Sequence, residues 1–257
     1  PPGADDAWPV PHAVPASPVM LICASYNIHG CVGKDRLRDV DRIVQVIHEL
    51  EADVVGLQEV DTHSGPGLDS AQMDYLPHAT GLNAVRGPLL ARHHGHYGNL
   101  LLTSLPVSDV RHIDLTVGHH EPRGALDVDL RLGEHLVRAV VTHFGLLPWE
   151  RREQGRRLLE ALAPAPGTLL VLMGDFNEWW PAGRALSRLH AALGLQPTPA
   201  TYPAFFPFLP LDRILVSPKD ALVGLHAHTT TLTQVCSDHL PVRAVVRWPP
   251  AGGATAP

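Results

Sequence analysis

Apolar and polar positions alternate in two rhythms along this chain. Residues 20–28 and 53–58 are short, nearly continuous apolar runs that end in polar side chains, the pattern of buried strands. Between them, apolar side chains at 40, 43, 44, 47 and 50 mark one face of a helix over residues 39–50. Strand patterns follow at 99–103, 107–115, 124–132 and 136–142 without a helix between them. Helical spacing returns at 149–162, succeeded by an apolar strand at 168–173 and a helix at 182–193. Strands resume at 211–216, 222–229 and 240–247. Helices interspersed with strand runs predict a layered α/β or α+β fold rather than a bundle or an all-β barrel.

The ends of the chain show neither rhythm. Residues 1–18 are proline-rich and read as a flexible arm, and 249–257 as a matching tail. No Pro/Gly-rich linker divides the middle, so a single domain is expected over 19–248.

Composition narrows the picture modestly. A chain of 257 residues, 45% of them hydrophobic, buries a substantial core. Its formal net charge of −6 argues against a protein that coats nucleic acid by neutralising phosphates. The three cysteines, Cys23, Cys31 and Cys236, have no CxxC spacing and an odd count, which implies neither a zinc site nor a disulfide framework. No apolar run approaches the roughly 20 residues needed to span a bilayer. A cytoplasmic monomer without a transmembrane segment is the expectation.

Candidate chemistry collects where strands end. Tyr26-Asn27-Ile28-His29, Gln58-Glu59-Val60, Thr142-His143-Phe144, Gly174-Asp175-Phe176-Asn177, Leu211-Asp212-Arg213-Ile214 and Ser237-Asp238-His239 each place polar groups at a strand terminus. Singly, each reads as a cap or a turn, because Asn and Asp bond their own backbone there. Together they predict one shared site at the edge of a sheet.

The ordered set YNIHG, LQEV, YGN, THFG, GDFN, LDRI and SDHLPV resembles the endonuclease/exonuclease/phosphatase superfamily, with its deoxyribonuclease-I-like fold, in a small bacterial-type member. The resemblance covers nearly everything between residues 20 and 245, and GDFN and SDHLPV are its most specific pieces. It implies a four-layer αββα sandwich of two mixed β-sheets flanked by helices. It also implies that Glu59, with Asn27 and Asp238 beside it, binds Mg²⁺, with Mn²⁺ as a substitute. Asp175 and Asn177 resemble the pair that orients the attacking water and holds the phosphate. His239, steadied by Asp212, would contact that phosphate, and His143 would face the leaving oxygen or a phosphate oxygen.

Physical chemistry asks for the same parts. Hydrolysing a phosphoester needs an aligned water, neutralisation of growing negative charge and help for the departing alkoxide; carboxylates, a cation and imidazolium groups supply these. Asn99 of YGN and Arg123 of EPRGAL are candidate substrate contacts, Arg123 having a structural ion pair as its alternative.

Two features bear on the substrate. The loop 202–210 carries Phe205, Phe206, Phe208 and Leu209 and no charge, where a nucleic-acid groove would present Lys or Arg. Trp179 and Trp180 directly follow GDFN. Phe206 and Trp179 thus become candidate contacts for a lipid-like substrate or a membrane surface, against the alternative that these side chains cap the core. Residues 93–97 read as a histidine-rich loop. Arg151, Arg152, Arg156 and Arg157, interleaved with Glu150, Glu153 and Glu160, read as an exposed, salt-bridged helix face. The expected function is a metal-dependent phosphodiesterase acting on a phospholipid or another small substrate. A DNA or RNA nuclease is the alternative, and a catalytically silent binding scaffold a more distant one.

Overall fold

Eleven residues of the described chain precede the first turn of helix, and nine of them form strand β1 (Val19–Asn27), near the centre of a six-stranded sheet. The structure, a computed structural model, describes residues 18–61, 72–92, 95–162, 167–180 and 186–249, with the backbone alone at 88–92 and 95–97. The expected arm (1–17), the tail (250–257) and residues 182–185 of the expected helix lie outside the described residues.

Besides β1, the first sheet contains β2 (Val54–Asp61), β3 (Asn83–Arg92), β4 (Gly95–Thr103), β10 (Leu222–Ala227) and β11 (Val242–Trp248), in the order β10-β11-β1-β2-β4-β3. The second runs β5-β6-β7-β8-β9, from Val107–Asp114, Gly124–Leu132, His135–His143, Leu169–Asp175 and Asp212–Ser217. Each is mixed: β1 and β2 pair in parallel, as do β7 and β8, and the remaining pairs are antiparallel.

Alternation along the strands explains the layers. In β8, Leu169, Val171 and Met173 pack between the sheets with Leu21, Cys23, Val141 and Ile214. Leu170 and Leu172 point the other way, onto α3 (Pro148–Ala161) and α4 (Ser187–Leu193) through Leu158 and Leu189. Burial of both faces is why β8 is apolar throughout and not alternating. On the far side, α1 (Val40–Leu50) lays Ile43, Val46, Ile47 and Leu50 over Tyr26, Val55 and Leu57 of the first sheet, joined there by α2 (Gln72–Thr80) through Met73 and Leu76. Asp39 starts α1 by accepting hydrogen bonds from the Asp41 and Arg42 amides, the usual satisfaction of orphan N–H groups at a helix start. The result is the expected αββα sandwich.

Some expectations change. Residues 95–97 are not loop: they open β4, pairing with Arg92, Ala91, Leu90 and Asp61. Backbone pairing suffices there whatever the side chains; residues 93 and 94 lie outside the described residues. Strand β3 and helix α2 had no signal in the pattern, because Gly87-Pro88 interrupts one and Pro77 sits inside the other. A four-residue helix, α5 (Thr233–Cys236), leads into the SDHLPV segment.

Candidate active site

The two sheets deliver their polar ends to one edge. Asn27 ends β1, His143 ends β7, Asp175 ends β8, Asp212 begins β9, and Asp238 and His239 precede β11. Glu59 comes from inside β2, where the register with β4 shifts between Leu57 and Val60. This bulge gives Glu59 a left-handed backbone with φ of 58° and turns its side chain toward the site. Asn177, just past β8, is also left-handed, with φ of 51°. Such conformations persist only where surrounding structure holds them, and they gather at functional sites. Gly174 is required for a different reason: a Cβ there would lie 2.0 Å from the Thr142 carbonyl oxygen of the neighbouring strand.

A hydrogen-bond chain crosses the seam between the sheets. Asn27 Nδ2 donates to Glu59 Oε1 and to Asp175 Oδ2, both at 3.0 Å. Its oxygen accepts from the His29 amide at 3.1 Å. Expected as a metal ligand, Asn27 thus turns its N–H groups, not its oxygen, to the carboxylates and positions them. Asp175 Oδ1 accepts from the Asn177 amide at 2.8 Å, while Oδ2 lies 3.8 Å from His239 Nε2 and 3.6 Å from His143 Nε2.

His239 donates from Nδ1 to Asp212 Oδ2 at 2.8 Å, and the Thr201 hydroxyl donates to the same oxygen at 2.5 Å. Nε2 of His239 is left facing the site. Burial disfavours the charged imidazole, but Asp212 and Asp175 outweigh it and raise its pKa to about 10. Burial also raises Asp175, to about 6, against the lowering influence of His239. Tyr202 packs on the His239 ring at a centroid distance of 5.0 Å.

On the other flank, Arg123 Nη1 lies 3.1 Å from His143 Nδ1, and Nη2 binds Glu121 at 2.7 Å. Guanidinium only donates, so Nδ1 is the acceptor in that contact, and Asn177 Nδ2 approaches Nε2 of the same ring at 3.2 Å. Arg123 therefore makes the structural ion pair that was its alternative and reaches His143 as well. Asn99 is buried, with its amide donating to the Gly124 carbonyl at 3.1 Å. It fastens the two sheets together rather than presenting that amide to substrate.

Sequence reasoning missed several residues. Thr201, the second donor to Asp212, belongs to no motif. Arg151 was expected on the exposed face of α3 but is 4% exposed, since with Gly155 and Leu158 it forms the inward stripe of that helix. Glu150 is buried likewise, whereas Arg156 and Arg157 pair with Glu153 as expected. Arg213, also buried, donates to the Glu178 carbonyl at 2.6 Å; burial lowers its pKa to about 10 against the raising influence of Glu178, Asp212 and Asp175.

A sequence model of the endonuclease/exonuclease/phosphatase family matches residues 24–239. The chain belongs to this family. Among its relatives, the Escherichia coli protein YbhP is 27% identical over 237 residues, covering 86% of this chain and 93% of YbhP. The crystal structure of an endonuclease/exonuclease/phosphatase from Beutenbergia cavernae matches with a TM-score of 0.74 at 23% identity, covering 89% of this chain and 71% of that one. Truncated Caenorhabditis elegans TDP2 matches at 0.64 and 20%, covering 88% and 97%. These likenesses establish the fold.

The donor set of this endonuclease/exonuclease/phosphatase chain fits a hard divalent cation. Asp238 Oδ1 is buried without a hydrogen-bond partner, 3.7 Å from His29 Nδ1, and the Glu59 carboxylate is partly open. Asp175, Asp212 and His239 bring ligand atoms within 4.8 Å of one another. An ion among those three would compete with the short His239 and Thr201 bonds to Asp212. Among the described residues, no helix is long and apolar enough to cross a membrane.

The expected rim residues are exposed, and Trp179 lines the cavity that also contains Asn177 and His239. Trp179 and Trp180 are 60% and 66% exposed, Phe206 and Phe208 70% and 61%. The alternative that they cap the core is thereby set aside. Backbone bonds between Tyr202 and Leu209 close the loop that carries the phenylalanines, and the Ala204 amide ties it to the Asp238 carbonyl at 2.7 Å.

Proposed function

We propose that this chain is a Mg²⁺-dependent phosphodiesterase, with Mn²⁺ as a substitute, acting on a phospholipid or a similarly amphiphilic small diester at a peripheral membrane surface. The observation that carries this reading is the exposed aromatic set Trp179, Trp180, Phe206 and Phe208, of which Trp179 lines one cavity with Asn177 and His239 and another with Trp180 and Phe208. Exposed aromatics of this kind insert at a membrane interface or pack on acyl chains.

The residues supply the reaction in order. Asp175 accepts a proton at Oδ2 from the water that attacks phosphorus. His239 donates from Nε2 to a non-bridging oxygen, with Asp212 and Thr201 fixing its ring. His143 donates from Nε2 on the opposite flank, and Asn177, whose amide also binds the Phe144 carbonyl at 2.9 Å, borders the phosphate. The new bond joins water oxygen to phosphorus, the ester P–O bond breaks, and the departing oxygen takes its proton from solvent. Glu59 and Asp238 would hold the divalent cation, which when bound would neutralise charge on the phosphate and the leaving oxygen.

The test is hydrolysis of a phospholipid in mixed micelles, bis-nitrophenyl phosphate and plasmid DNA, with and without Mg²⁺. Lipid and soluble diester should both be cleaved only with the cation. F206D and F208D should lower lipid cleavage about tenfold more than soluble-diester cleavage, as expected when apolar side chains are withdrawn from a lipid contact. Efficient DNA nicking with no lipid cleavage would replace this reading with the nuclease.

A further inference from the structure

Beside His239 lies a cavity of about 370 Å³, within the range of small-molecule sites. Its walls include Asn177, Trp179, Leu209, His239 and, from α3, Pro148 and Arg151. Arg151 is the feature that the chemistry above leaves unexplained. It is 4% exposed; Nη1 donates to the neutral Leu146 carbonyl at 2.5 Å, Nε has no hydrogen-bond partner, and the carboxylate neighbour Glu178 is 3.5 Å from Nη2, the limit of a hydrogen bond. Glu178 in addition accepts from the Trp180 amide and lies in the field of Arg213. A buried cation is costly unless an anion answers it, and the carboxylate beside Arg151 stands at the limit of contact and is drawn on by Arg213 as well.

The helix start adds to the same field. Leu147 gives α3 no side-chain cap and Pro148 opens the helix at its first turn, so amides of that turn are left to other partners. Glu150, the acid of the same turn, bonds Gln154 and packs against Gly145, and it does not line the cavity.

We propose that this cavity is a subsite for a second phosphate of the substrate, held by the Arg151 guanidinium while the first phosphate reacts between His239 and Asp175. The inference rests on the phosphodiesterase reading and deepens it: the substrate is a diester that carries another phosphate a few bonds away. Trp179 and Leu209 would flank the carbons between the two groups. Arginine suits this role because its planar fork meets phosphate oxygens in pairs.

Binding without turnover separates this proposal from the function. Trimethylene bisphosphate and propyl phosphate are titrated by calorimetry into the full chain with Mg²⁺, using wild type, R151Q and R151K. The bisphosphate should bind at least about tenfold more tightly than the monophosphate, the worth of one hydrogen bond to a charged group. R151Q should bring the two within about twofold, and R151K should recover part of the preference. Equal affinities in wild type, or a preference unchanged in R151Q, would overturn the subsite. Loss of both ligands together in R151Q with a lowered unfolding temperature would also overturn it, marking Arg151 as a strut. A preserved pattern of ratios in a protein that cleaves no diester would support the subsite and sink the functional reading instead.

Discussion

Arg123 donates to Nδ1 of His143 from 3.1 Å and so fixes the ring whose Nε2 lies 3.6 Å from Asp175 Oδ2. Asn177 Nδ2 approaches that same Nε2 at 3.2 Å, so the imidazole is held from both sides. R123Q should lower kcat about tenfold to a hundredfold, the usual effect of removing a group that orients a site residue. H143A should lower it further, and R123Q combined with H143A should cost no more than H143A alone. Steady-state kinetics on bis-nitrophenyl phosphate across pH measures this; additive losses would separate the two residues.

The pH profile follows from the opposed shifts of Asp175 and His239. Asp175, raised by burial to about 6, must be ionised to take a proton, so activity should fall as pH drops through that region. His239 keeps its proton up to about pH 10, held by Asp212 and Asp175 against the effect of burial, and the alkaline limb should lie there. Raising Mg²⁺ should move the acid limb to lower pH, since a neighbouring cation favours the carboxylate. Rate profiles at several Mg²⁺ concentrations check the direction.

Far from the chemistry, Asp127 is clamped between Arg111 and Arg138, with contacts of 2.6 to 3.0 Å. Burial works against its charge, but the two arginines prevail and hold its carboxyl below the ordinary value of 3.8. A depressed folded pKa means stability that is present above that value and lost as pH falls below it. D127N should cost about 3 kcal/mol at neutral pH by leaving two cations without their buried partner. The acid dependence of unfolding should weaken in the same variant, as read by denaturant titration at several pH values.

Gly174 offers a steric test. G174A would drive a Cβ to 2.0 Å from the Thr142 oxygen and must push β7 and β8 apart just where His143 and Asp175 emerge. The variant should lose activity by about a hundredfold or more, given how steeply rate depends on placement. It should also unfold at lower temperature, measured by calorimetry.

How much could be read without coordinates depended on what sets each feature. Val40–Leu50 and Leu169–Asp175 were legible because local periodicity alone marks a helix face and a doubly buried strand. The site residues at strand ends were legible because their motifs recur in order. Asn83–Arg92 was hidden by Gly87-Pro88, which reads as a turn although β4 holds the segment in the sheet. Arg151 was misplaced because mixed charge on a helix signals solvent, and only packing against the neighbouring layer shows which arginine turns inward. The contacts of Thr201 with Asp212 and of Arg123 with His143 join residues distant in sequence, and no spacing rule finds them.

The bond between His239 and Asp212 joins a residue leading into the first sheet to one beginning the second, and the bond from Asn27 to Asp175 makes the same crossing. Catalysis therefore monitors the alignment of two slabs. A slip of one sheet over the other, too small to expose the core between them, would part Asn27 from Asp175 and His239 from Asp212 and leave each sheet intact. Heating or mild denaturant should silence the enzyme while its circular dichroism is still native, so that turnover is the most sensitive gauge of how firmly the sandwich is closed.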